Sequence, residues 1–130
     1  MQGFYARNPF VKELGIELVN IEEGSVTLAM AVKERYHVNA YGVAHGGALM
    51  SLADTAMGAS CLSLNKKVVT LEFNINCIKA VPHGKIVLAQ GKILHNGKQT
   101  IVAECEIVDD NATLYAKARG SFYVLDKFTE

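Results

Sequence analysis

The segment GGALMSLADTAMGASCLSL, residues 46–64, constrains this chain more than any other. It is long enough for about five turns of helix. Placed at 100° intervals, Leu49, Leu52, Ala53, Ala56 and Ser60 fall on one side, while Met50, Met57, Cys61 and Leu62 carry the apolar character most of the way round. A helix that is apolar on most sides must be buried on most sides, so the rest of the chain has to wrap it. That remainder reads as strand. GIELVNIEE and SVTLAMAVK flank a turn at Gly24, and Val26, Leu28, Met30 and Val32 share one face by simple alternation. After Asn65 come VVTLEFNINCIKAV, KIVLAQGKIL, QTIVAECEIV and TLYAKARGSFYVL, separated by PHG, HNGK and DDNA, which is turn chemistry. In residues 101–107, Ala103, Cys105 and Ile107 oppose Glu104 and Glu106, so one face meets a core and the other meets water. One long helix with about six strands predicts an α+β architecture, a curved antiparallel sheet around a central helix. A further short helix is predicted at residues 8–13, with Asn8 as cap and Pro9 at the first helical position.

At 130 residues, 50% of them apolar, the chain suits one domain over residues 1–130. Thirteen basic and thirteen acidic side chains cancel, which leaves no field of one sign to gather a phosphate backbone or an anionic bilayer. No run approaches the roughly 18 apolar residues of a membrane span, and the start lacks the pattern of a secretory leader. The expectation is a cytoplasmic protein with neither nucleic acid nor membrane as partner. Cys61, Cys77 and Cys105 form no CxxC pair and stand among apolar neighbours, so they read as small buried hydrophobes in a reducing compartment. Four scattered histidines without ligand spacing argue against a metal site, and His37 and His83 read as surface or loop residues.

Asp54 sits in the middle of the apolar helix, where an unpartnered carboxylate costs several kcal/mol or takes up a proton. It either solvates one wet stripe beside Ser51 and Gly58 or does chemistry. Two features favour chemistry. The helix begins His45-Gly46-Gly47, where glycines admit a ligand close to the backbone and the first-turn N–H groups have no intrahelical partner. Such an end can hold developing negative charge, for example the oxyanion of acyl transfer. Asn39, in the loop HVNAYGVAHGG, adds a neutral amide able to orient water or a carbonyl. Gly46 and Asp54 are eight residues apart, about 12 Å along a helix axis, which is too far for both to touch one carbonyl. Two copies with these helices antiparallel would bring Asp54 of one to Gly46 of the other, predicting a two-fold dimer with two composite sites.

The pattern Asn39-x2-Gly42-x2-His45-Gly46-Gly47-x4-Leu52-Ala53-Asp54-x3-Gly58 resembles the signature of the hotdog-fold acyl-CoA thioesterases of the phenylacetic-acid-degradation (PaaI) and THEM2-like group. The likeness extends to NPFVKELGIELVNIEEGSV before it and to VVTLEFNINCIKAV, GKILHNGKQTIVAECEIVDD and ARGSFYVL after it. The resemblance implies a hotdog fold, a homodimer or dimer of dimers, and an acyl-CoA substrate, with CoA part of the substrate and no separate cofactor. By the same resemblance Asp54 is the nucleophile or general base, the Gly46 N–H polarises the thioester carbonyl, Asn39 positions thioester or water, and Thr70 holds the water. His45 is either a base or, in a supporting role, the lock of its loop. The turn His95, Asn96, Gly97 and Lys98 resembles one that lies near the CoA nucleotide, though it also reads as an exposed hairpin turn. Gly47 and Met50 join the substrate-contacting set, and Met57, Leu62 and Phe73 are further candidates for an acyl pocket. Two departures stand out: Tyr41 replaces a proline or a small or polar residue, and Asn111-Ala112 replaces the usual glycine of the late hairpin. A non-catalytic acyl-CoA binder on the same fold is the alternative.

Overall fold

The structure, a computed structural model, describes residues 8–129. Helix α1 (Pro9–Leu14) is capped by the Asn8 side chain, which accepts from the Phe10 and Val11 N–H groups, and it ends at Gly15 with φ 71°. Strands β1 (Ile16–Glu22) and β2 (Ser25–Ala31) form a hairpin, and a single-turn helix α2 (Glu34–His37) follows. The central helix α3 (Gly46–Leu62) precedes β3 (Lys66–Cys77), β4 (Ile86–Asn96), β5 (Thr100–Val108) and β6 (Leu114–Lys127). All pairings are antiparallel, in the order β1-β2-β4-β5-β6-β3. α3 packs against β2 to β6, and the core fills the space between helix and sheet. The expected wrapped helix is what forms, and Val26, Leu28, Met30 and Val32 are all buried as their alternation predicts. α2 was not foreseen; one turn carries no periodic signal.

One contact sets how close the helix lies to the sheet. A Cβ at Gly91 of β4 would run into Ser60 Oγ and the Ala56 carbonyl of α3. Ser60 Oγ donates to Ala56 O and accepts from Val26 N, while Ser25 Oγ donates to Gly91 O. The buried Ser60 hydroxyl thus ties the helix to β2, and the Ser25 hydroxyl ties β2 to β4.

The pairing of β3 with β6 shifts register between Thr70 and Glu72. Leu71 is the extra residue of a β-bulge, which reverses the alternation along β3. Val68 packs on the core before the bulge, and Phe73 and Ile75 do so after it. Thr70, just before the bulge, shares the helix-facing side with Val68.

Three expectations from sequence are corrected. Cys77 is exposed, at the end of edge strand β3, whereas Cys61 and Cys105 are buried and burial pushes both thiols up to about 12. His37 is a buried lock, not a surface residue. Its Nδ1 accepts from Lys33 N at 2.9 Å and its Nε2 donates to Leu14 O at 2.8 Å. Met57 is fully buried in the core and lines no cavity beside Asp54.

The β5–β6 turn is organised by buried Asp109. Its Oδ1 accepts from the Asn111 and Thr113 N–H groups, and its Oδ2 accepts from the Tyr115 hydroxyl at 3.0 Å and the Lys85 ammonium at 3.2 Å. These bonds hold Ala112 at φ 61°, a left-handed conformation that a β-carbon disfavours. Burial pushes the Asp109 carboxyl up, but the Thr113 N–H, Lys85, Tyr115 and the Asn111 N–H together outweigh it and hold the group below the usual carboxylate range. A depressed folded-state value stabilises the protein above the unfolded-state value, near pH 4, and that contribution is lost as pH falls through the folded-state value. Asp109→Asn is therefore expected to flatten the fall of the urea midpoint between about pH 4 and pH 2. A wild-type slope in that window would show that Asp109 does not couple folding to protons.

Candidate functional site at the central helix

The start of α3 uses nearly all of its own donors. His45 is the N-cap: its Nδ1 accepts from Gly47 N at 3.0 Å, and its carbonyl accepts from Ala48 N at 2.9 Å and Leu49 N at 3.3 Å. Among the described residues the Gly46 N–H alone, of the four that open this helix, has no acceptor. The macrodipole adds partial positive charge at the same place. This end is fixed from behind, since His45 N donates to the carbonyl of His37 at 2.6 Å. The side chain of His37 in turn joins α2 to the end of α1. Asn39 folds the preceding loop as an Asx turn. Its Oδ1 accepts from Tyr41 N at 2.9 Å and Val43 N at 3.4 Å, and its NH2 has no partner among the described residues. Tyr41 at the tip of that loop is exposed.

Two turns along α3, Asp54 is half-buried, and its Oδ1 accepts from the Thr70 hydroxyl at 2.8 Å. The reversed alternation of β3 is what allows this contact: an unbulged strand carrying Phe73 and Ile75 inward would turn residue 70 outward. Asp54 Oδ2 has no partner among the described residues. The wet stripe beside it includes Ser51 and Thr55, whose hydroxyls are consumed by the Gly47 and Ser51 carbonyls.

Two cavities meet at Asp54 and Thr70. One, of about 480 Å³, is walled by α1, α3, β3 and β6 and includes Phe10, Gly58, Leu62 and Val69. The other, of about 230 Å³, is lined by Phe10, Met50, Ser51, Asp54, Thr70 and Phe73. Gly46 lines a separate cavity of about 260 Å³ with Leu49, Cys77 and Ile78. One chain therefore brings Asp54 and Thr70 together and keeps Gly46 apart from them. Gly47 is used in the cap, and Met50 is 43% exposed on the wall of the smaller cavity. The turn of His95, Asn96, Gly97 and Lys98 lies at the tip of the β4–β5 hairpin and lines neither Asp54 cavity. Lys66 pins it, with Nζ 2.6 Å from Asn96 Oδ1 and 3.0 Å from Gly97 O.

Some contributors escaped the sequence. Phe10 and Asn8 wall the larger cavity, but nothing local to α1 says which face of the fold it covers. His37 was invisible because both partners of its ring are backbone atoms. Gly58 stands in the signature and on the wet stripe beside Asp54 but was given no role of its own, although a signal was available: a glycine inside a helix costs about 1 kcal/mol relative to alanine, so it needs a reason.

No helix among the described residues is long and apolar enough to cross a membrane. Residues 41–116 match the family model described as the thioesterase superfamily. The chain is 33% identical over 116 residues to the acyl-coenzyme A thioesterase PaaI of Escherichia coli, covering 89% of this chain and 82% of that protein. It is 32% identical over 117 residues to the 1,4-dihydroxy-2-naphthoyl-CoA hydrolase of Listeria monocytogenes, covering 88% and 94%. The solved structure of Escherichia coli PaaI superposes with a TM-score of 0.91 over 96% of this chain and 90% of that one, at 30% identity. A Streptococcus mutans protein solved with acetyl-CoA bound gives 0.83 over 86% and 90%, also at 30% identity. A long helix wrapped by a six-stranded antiparallel sheet, with these relatives, settles the assignment: the chain belongs to the thioesterase superfamily, as a PaaI-like thioester hydrolase of hotdog fold.

Proposed function

We propose that this hydrolase cleaves acyl-CoA to the free acid and CoA at a site completed by a second copy of the chain, with Asp54 of one copy facing the Gly46 N–H of the other. The observation that carries the reading is the Gly46 N–H, without an acceptor among the described residues, at the tip of a buried helix whose only carboxylate lies about 12 Å further on. The thioester carbonyl rests on that N–H, which stabilises the oxyanion as it develops. Thr70 holds one oxygen of Asp54 and leaves the other for the chemistry. Asp54 either attacks the carbonyl or draws a proton from the attacking water. The CoA thiolate then leaves without needing a strong acid. Asn39, with its oxygen committed to the loop, offers its NH2 to thioester or water.

A CoA thioester as substrate is supported by the relatives named for acyl-CoA and naphthoyl-CoA hydrolysis and by the acetyl-CoA bound to the Streptococcus mutans protein. A second copy is supported by edge strand β3, which presents an open ladder with exposed Val69 and Leu71. Thiol release from short, long and aromatic acyl-CoAs, measured beside sedimentation at the assay concentration, tests the reading. Hydrolysis by a two-fold assembly is expected. A fully active monomer refutes the shared site, and acyl-CoA binding without thiol release makes the protein a carrier. Single turnover in heavy-oxygen water separates the two roles of Asp54, since label in its carboxylate marks an anhydride intermediate.

A further inference from the structure

Gly58 lies four residues after Asp54, on the same face of α3, and it lines the larger of the two cavities that meet there. The fold gives it no reason to be glycine. Its φ is not in the left-handed range, and a Cβ built on it meets nothing within 4 Å. Gly91 and Gly120 behave differently, because a Cβ at either would press on Ser60 and Ala56 or on Phe122 and Glu72. The chain thus tolerates a poor helix former at residue 58 while leaving the space beside it empty. That space opens onto the reactive end of the cavity, where Asp54 and Thr70 stand, and its remaining walls are mainly apolar, among them Phe10, Leu62, Val69 and Leu125. Leu62 lines it eight residues beyond Asp54, so the cavity runs about 12 Å along the helix. A two-carbon acetyl group fills little of its 480 Å³.

We infer that residue 58 determines acyl specificity, its missing side chain making room for a bulky apolar acyl group, medium-chain or aromatic, that extends from the thioester along α3 toward Leu62. The inference rests on the proposed role of Asp54, because it places the acyl carbonyl beside that residue.

The test compares kcat/KM for octanoyl-CoA, benzoyl-CoA and acetyl-CoA in wild type, Gly58→Ala and Gly58→Val, with Asp54→Ala assayed in parallel. Wild type is expected to favour at least one bulky substrate over acetyl-CoA. Gly58→Val is expected to lower that ratio about tenfold or more, as removing room for a few methylene groups does. Gly58→Ala is expected to lower it less while raising the melting temperature by roughly 4 °C, through better helix propensity; if the valine variant does not fold, the alanine ratio decides. A bulky-to-acetyl ratio unchanged in both variants overturns the inference, as does a wild type that prefers acetyl-CoA. So does loss of dimer with an unmoved ratio, which would mean that the partner copy fills the space. Turnover retained by Asp54→Ala would refute the catalytic reading instead, whereas an inactive Asp54→Ala beside an unmoved Gly58→Val ratio removes only the role of residue 58.

Discussion

Asp54→Ala lowers kcat for acyl-CoA hydrolysis by about 10²- to 10⁴-fold if the carboxylate is a general base, and by more if it is the nucleophile. The melting temperature stays near that of wild type. The expectation of an intact fold comes from the surroundings of the side chain. Asp54 is half-buried beside an open cavity, and its one side-chain partner among the described residues is the exposed hydroxyl of Thr70, which can turn to water when the carboxylate goes. Alanine is also the best helix former, so the backbone of α3 loses nothing. Asp54→Asn sharpens the test, because it keeps an oxygen for Thr70 and removes the charge. Circular dichroism, sedimentation and steady-state kinetics on the two variants read fold, assembly and chemistry separately. Wild-type kcat in either variant rules Asp54 out as base and nucleophile alike.

Replacing Gly46 by proline reaches the other half of the chemistry. Proline deletes a backbone N–H and nothing else that α3 needs at its first residue, where that N–H has no acceptor within the described residues. Proline also requires an extended residue before it, and His45 already has φ −62° and ψ 137°. A Cβ at position 46 meets nothing within 4 Å, so Gly46→Ala serves as the companion that keeps the donor. The expected result is a fall of about 10²- to 10³-fold in kcat for Gly46→Pro, with a much smaller loss for Gly46→Ala. Equal activity in the two variants removes the Gly46 N–H from the mechanism.

The parts of this molecule that were legible in sequence are those where period becomes geometry. Val26, Leu28, Met30 and Val32 announce a strand with one buried face, and that is how β2 is buried. The apolar run of residues 46–64 announces a wrapped helix, and a helix turns the eight-residue interval from Gly46 to Asp54 into a distance. What stayed hidden depends on contacts between distant segments. The alternation in VVTLEFN gives no sign that Leu71 drops out of register, yet that slip turns Thr70 toward Asp54. His37 looked like a loop residue because its partners are the carbonyl of Leu14 and the N–H of Lys33, which belong to no motif. Cys77 looked like core because Ile75 and Ile78 flank it, but β3 is an edge strand that ends at Cys77, where Cys77 and Ile78 are exposed while Ile75 packs on the core.

The sheet order also has a kinetic side. β1 with β2, β4 with β5 and β5 with β6 are hairpins that close short loops, but β2 must wait for β4, and β3 for β6, the last strand of the described chain. Closing those longer loops costs more chain entropy before any ladder bond repays it, so both of these pairings form late. Until β3 docks, Thr70 has no Asp54 to meet and the strand edge of β6 stands open to other chains. A newly made molecule therefore acquires its Asp54–Thr70 pair only when one of its long-range strand pairings closes, and in closing it exchanges the open edge of β6 for that of β3.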